Sequence, residues 1–178
     1  MDSNSIAAFF DLEMEVQRGL PHRERRTETA APESETLKRT RILLAEDHKD
    51  MRDRVVRLLE PEFEVVGATE DGLALLEAAE RMMPDVCVVD ISMPRMDGIE
   101  AATRLRERAP LVRVVFLSVH EDRDFVRAAL GTEALGYVVK SRMASDLRTA
   151  IREALAGRLF VSPSCCFAAR DEPVRDAL

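Results

Sequence analysis

Between Arg41 and Leu155 the chain repeats one alternation five times: a short apolar run, then a segment whose apolar residues fall three and four apart. The runs are ILLA (42–45), VVGA (65–68), VCVV (86–89), VVFL (114–117) and YVV (137–139). Several are unbroken by polar residues, as strands covered on both faces must be. The segments between carry Met51, Val55, Leu58 and Leu59, then Leu75, Leu76 and Ala79, then Ile99, Ala102 and Leu105. Phe125, Val126, Ala129 and Leu130 follow, and Leu147, Ile151, Ala154 and Leu155 close the series. That spacing is the apolar stripe of a helix. Strand and helix in strict alternation imply right-handed crossovers, so the expected fold is α/β, a doubly wound five-stranded parallel sheet.

The flanks read differently. Residues 21–40, PHRERRTETAAPESETLKRT, hold almost no large apolar side chains and cannot offset the entropy of ordering, so they read as a linker. Before it, residues 1–20 place Ile6, Phe9, Phe10, Leu12, Met14, Val16 and Leu20 among acids, an imperfect amphipathic helix in an N-terminal extension. Phe9, Phe10 and Met14 either offer a surface to a partner or a second copy, which leaves a homodimer open, or belong to a disordered segment. The core domain is expected over 41–160 and a tail over 161–178. The tail, RLFVSPSCCFAARDEPVRDAL with the residues just before it, lacks the periodicity of a three-helix DNA-binding unit. A net charge of -7 also argues against general nucleic-acid binding, which needs clustered Lys and Arg. No apolar run approaches bilayer length, and Asp11, Glu13 and Glu15 stand where a signal peptide needs a basic start. Cys87 and the adjacent Cys165 and Cys166 form no metal-ligand spacing and read as reduced thiols. The expected location is cytoplasmic, with no membrane contact.

Open parallel sheets bind ligands beyond the carboxyl ends of their strands. The first run ends in Glu46 and Asp47, the third in Asp90, the fourth in Ser118 and the fifth in Lys140. Each has an ordinary explanation taken alone: Asp47 and Ser118 as helix caps, Lys140 as a solvated residue. Together they set three carboxylates, a hydroxyl and an ammonium on one rim. Clustered carboxylates repel unless a cation neutralises them, and an all-oxygen acidic site suits Mg²⁺, which keeps several waters at about 2.0–2.1 Å. A carboxylate flanked by Mg²⁺ and an ammonium is a phosphoryl acceptor, because both cations neutralise the phosphoryl oxygens.

The motifs LLAEDH, VVDISMPRMDGIE, VVFLSVHED and ALGYVVKS, in that order and at strand ends, resemble the response-regulator receiver domain of two-component signalling. The likeness is greatest to the NarL/FixJ subfamily, whose receivers usually precede a LuxR-type helix-turn-helix. It implies a flavodoxin-like receiver fold, with Glu46 and Asp47 as Mg²⁺ ligands directly or through water, and Asp90 as both ligand and phosphorylation site. It further implies that the Ser92 carbonyl completes the metal shell, that Ser118 bonds the phosphoryl oxygen, that Lys140 pairs with it, and that Tyr137 changes rotamer with Ser118. Implied partners are a sensor histidine kinase or phosphotransfer protein and a downstream protein of unknown kind. The expected role is a switch in a His-Asp phosphorelay, not an enzyme. Two departures stand out: Val119 follows Ser118 where many receivers carry Ala or Gly, and Gly131, Thr132 and Glu133 replace a more usual turn after the fourth helix.

Rival chemistries lack their parts. Haloacid-dehalogenase phosphatases need a second Asp two residues after the first, where Ser92 stands. No glycine-rich phosphate cradle exists for a nucleotide enzyme. The rival in cellular role is the receiver half of a LuxR-type DNA-binding transcription regulator.

Overall fold

The computed structural model describes residues 39–165. The expected helix over 1–20, nearly all of the linker over 21–40, and the tail from Cys166 to Leu178 lie outside the described residues. The alternation read from the sequence is present: β1 (Arg41–Ala45), α1 (Lys49–Leu59), β2 (Glu64–Thr69), α2 (Gly72–Met82) and β3 (Val86–Asp90). It continues through α3 (Gly98–Arg108), β4 (Arg113–Ser118), α4 (Arg123–Leu130), β5 (Gly136–Val139) and α5 (Met143–Leu155).

The sheet is parallel with the order β2-β1-β3-β4-β5-β6, so it holds six strands where five were expected. The addition, β6 (Phe160–Val161), pairs Gly136 with Phe160 and Tyr137 with Val161. Two residues are too short to display a period, so only pairing with β5 defines this strand. The fold also runs on past residue 160. Ser162 is fully buried; its amide donates to the Tyr137 carbonyl at 2.8 Å and its Oγ to Asp146 Oδ2 at 2.8 Å. The same Oγ accepts from the Val139 amide at 3.1 Å, fastening the segment to β5 and α5.

Alternate residues of each strand serve opposite faces, as the pleat requires. Leu43, Ala45, Cys87, Val89 and Phe116 pack with Leu75 of α2, Ala101 and Leu105 of α3 and Ala129 of α4. Ile42, Leu44, Val86, Val88, Val115 and Leu117 pack with Val55 and Leu59 of α1 and Leu147 and Ile151 of α5. Chain winding reverses between β1 and β3, the switch point where such sheets leave a crevice. There Ala45 lies opposite Val89, which sets Glu46 beside Asp90.

Candidate functional site

The caps decide the first alternative. The first helix is preceded by His48, which makes no side-chain cap, and α4 is capped by Asp122, whose carboxylate accepts from the Phe125 amide. Asp47 and Ser118 are therefore not the caps of these helices. Nor is Lys140 a solvated residue: its side chain is only 11% exposed. Its Nζ donates to Asp90 Oδ2 at 2.9 Å. Glu46 Oε2 meets the same ammonium at 2.8 Å as an ion pair.

Burial is the main force raising the Glu46 carboxyl above its ordinary value of 4.5; the Asp90 charge adds to it and Lys140 opposes it. Burial disfavours the charge on Lys140 as well, but its contacts with Glu46 and Asp90 outweigh that and raise its pKa above 10.5. The ammonium is thus fixed as a cation between two carboxylates at neutral pH.

The other expected residues fall around this core. Asp47 Oδ1 contacts His48 Nδ1 at 2.7 Å, and ligand atoms of Glu46, Asp47 and His48 lie within 4.8 Å of one another. The Ser92 amide donates to Asp90 Oδ1 at 3.3 Å, placing the backbone of the loop after β3 against that carboxylate. Ser118 Oγ accepts from the His120 amide at 3.1 Å, and Tyr137 is fully buried with its hydroxyl donating to the His120 carbonyl at 2.8 Å. Burial raises the Tyr137 phenol above 10, and the Ser118 hydroxyl works against that rise. Val119 stands exposed beside this loop.

The donor set suits a hard cation. Oxygen ligands dominate, Glu46 is fully buried, and its carboxylate and that of Asp90 form a pair that positive charge neutralises. Glu46, Asp47 and Asp90 with the Ser92 carbonyl are the groups that could hold Mg²⁺.

The sequence reading missed Arg52. Its guanidinium donates to the Glu46 carbonyl at 2.7 Å, to the Asp47 carbonyl at 3.3 Å and to Glu70 Oε1 at 2.9 Å, bracing the acidic turn from α1. The only signal is its place one turn into that helix, on the side of the preceding acids. Gly98, part of the motif after Asp90, is fixed by geometry. A Cβ there would lie 2.2 Å from the Asp90 carbonyl oxygen, so only glycine lets α3 start against the end of β3.

The strand order and a lysine-bridged acidic pair at the carboxyl rim define a doubly wound, flavodoxin-like domain. Residues 42–152 match the model of the response regulator receiver domain, and the chain belongs to that family. It is 40% identical over 124 residues to the transcriptional regulatory protein DegU of Brevibacillus brevis, a match that covers 68% of this chain and 52% of DegU. The chain thus spans about half the length of that relative. Among solved structures, a LuxR-family two-component response regulator from Aurantimonas sp. SI85-9A1 superposes with a TM-score of 0.70 at 32% identity, over 72% of this chain and 94% of that one. The signal receiver domain of the response regulator NarL from Mycobacterium tuberculosis superposes with a TM-score of 0.65 at 32% identity, over 68% of this chain and 99% of that one. The protein is therefore a response regulator receiver of the NarL/LuxR type in two-component signalling. Among the described residues, no helix is long and apolar enough to cross a membrane.

Proposed function

We propose that this receiver is switched by Mg²⁺-dependent phosphorylation of Asp90, with Glu46, Asp47 and the Ser92 carbonyl as the remaining protein ligands. The observation that carries the reading is Lys140, held 2.9 Å from Asp90 Oδ2 and 2.8 Å from Glu46 Oε2. Magnesium, when bound, supplies positive charge at the phosphoryl oxygens. The chain's own residues do the rest. An Asp90 carboxylate oxygen attacks the phosphorus of a phosphohistidine or a small acyl phosphate. The new O–P bond replaces the donor's P–N or P–O bond, and the leaving imidazole or carboxylate departs with the electron pair. Lys140 neutralises the incoming phosphoryl group, and Ser118 exchanges its bond from the His120 amide for one to a phosphoryl oxygen. His120 is held by both Ser118 and Tyr137, so that exchange is felt at the Tyr137 hydroxyl.

The donor is a sensor histidine kinase or a phosphotransfer protein, and the product is a changed surface for a downstream protein or a second copy. The protein is a cytoplasmic switch, not an enzyme with turnover of its own. Incubation with acetyl phosphate, with and without Mg²⁺, tests the assignment by mass. A single Mg²⁺-dependent phosphoryl adduct, absent from Asp90→Asn, is expected; an adduct that survives in that variant overturns it.

The relatives favour a second reading, the receiver half of a longer LuxR-type DNA-binding regulator, because DegU is a transcriptional regulatory protein twice as long as the match. Reading the coding sequence on both sides of this segment separates the two: a helix-turn-helix in the same frame supports the longer regulator, and a stop codon supports the receiver alone.

A further inference from the structure

Asp71 is buried to 1% exposure at the start of α2, far along the chain from any residue assigned to the site. One of its oxygens caps α2 by accepting from the Ala74 amide at 2.9 Å. The other, Oδ2, accepts no hydrogen bond and is paired only with the guanidinium of Arg95. Arg95 belongs to the loop of residues 91–97, which connects Asp90 to α3. Its φ is +67°, a left-handed conformation that glycine adopts without penalty and a long side chain does not. The turn is anchored again one residue later, where the Gly72 amide donates to the Met96 carbonyl at 3.3 Å. The contact is close: a Cβ on Gly72 would lie 2.8 Å from Met96 Cγ and 2.9 Å from Met96 O.

A disfavoured backbone at a loop arginine, whose charge meets the buried carboxylate that caps α2, is the mark of a conformation held for a purpose. The loop so held carries Ser92, whose amide lies on Asp90 Oδ1. We infer that Arg95 is a positioning residue: its ion pair with Asp71 locks the 91–97 loop in the register that presents the Ser92 carbonyl to the metal beside Asp90. The inference rests on the proposed Mg²⁺-dependent phosphorylation and deepens it. Arg95 is not among the proposed ligands, and its side chain pairs with Asp71. Its removal acts through the loop, as loss of an outer-shell partner does at other metal sites.

The test titrates the full chain with MgCl₂ by calorimetry and follows the rate of acetyl phosphate labelling, for the parent, Arg95→Ala, Arg95→Lys, Arg95→Gly and Asp71→Asn. Asp71→Asn keeps a capping oxygen but removes the charge. Arg95→Ala and Asp71→Asn are each expected to weaken Mg²⁺ binding about tenfold, and the double variant no further than either alone. Arg95→Lys recovers most of the affinity. Arg95→Gly separates positioning from stability, since it relieves the left-handed backbone and keeps or raises the melting temperature, yet weakens Mg²⁺ as Ala does. Parent-like Mg²⁺ affinity and labelling in Arg95→Ala and Arg95→Gly overturn the inference, as does an affinity loss that merely tracks melting temperature across the series. A parent that takes no Mg²⁺-dependent label at Asp90 sinks the underlying reading instead, so the two failures are told apart.

Discussion

The two loops that follow β3 and β4 differ in how they are held. On the β3–α3 side, residues Ile91, Met93 and Met96 are buried, Asp97 caps α3 at 2.8 Å through the Glu100 amide, and Gly98 lies flush against the Asp90 backbone. On the β4–α4 side, Val119 is 62% exposed and α4 buries only Ala129, with Phe125 reaching 36% exposure against the stacked His120 ring. Few buried contacts mean a low cost of local opening. Under the proposed function the difference separates duties: the loop after β3, which holds the proposed ligands Asp90 and Ser92, is packed to stay, and the loop that leads from the buried Ser118 into α4 is packed to shift. Beyond α4 the structure is firm again, where Asp146 ties α5 to Ser162 and the β5 edge.

The largest expected effect is on the packed side. Gly98→Ala drives a methyl into the Asp90 carbonyl and should cost about 3–5 kcal/mol, seen as a drop in denaturation midpoint with loss of acetyl phosphate labelling. A variant with parent-like stability would mean the 91–97 loop yields, and the contrast between the halves would fail.

A middle effect marks where the loose region ends. Burial pushes the Asp146 carboxyl upward, but hydrogen bonds from Ser145, Arg142 and Ser162 outweigh it and hold its pKa below the ordinary 3.8. A depressed carboxylate contributes stability that is present above 3.8 and lost as pH falls through the folded-state pKa. Asp146→Asn should therefore cost about 1–3 kcal/mol at pH 7. The gap to the parent should close as pH falls below 3.8, in chemical denaturation across the acid limb. A pH-independent gap would assign the cost to packing instead.

The smallest effect belongs to α4. A Cβ on Gly131 would meet two carbonyl oxygens at 3.3 Å, in a right-handed backbone of φ −61°, where alanine is the better helix former. Gly131→Ala should change stability by no more than about 1 kcal/mol, in the stabilising direction, because a lightly packed helix end gives way. A loss beyond that on thermal melting would show that the end of α4 is as tightly seated as α3.

Much of this was legible in one dimension. The five strand–helix units and the placing of Glu46, Asp47, Asp90, Ser118 and Lys140 at strand ends followed from local periodicity, since a strand buried on both faces is a continuous apolar run and the first polar residue after it marks its end. The helix spacing of Phe125 and Val126 was equally visible, yet periodicity says which residues share a face and not how deeply a neighbour covers it. What only tertiary structure decided are pairings between distant residues. The two-residue β6 exists because β5 offers an open edge, and Ser162 is buried because Asp146, sixteen residues before it, and the Val139 amide close over it. Lys140 bridges Glu46 and Asp90 because the winding reverses between β1 and β3. Arg95 finds Asp71 because α2 and the loop after β3 pack side by side, and no pattern along the chain announces that a loop arginine will answer the buried carboxylate that caps α2. Local chemistry selects the elements; long-range packing selects the partners.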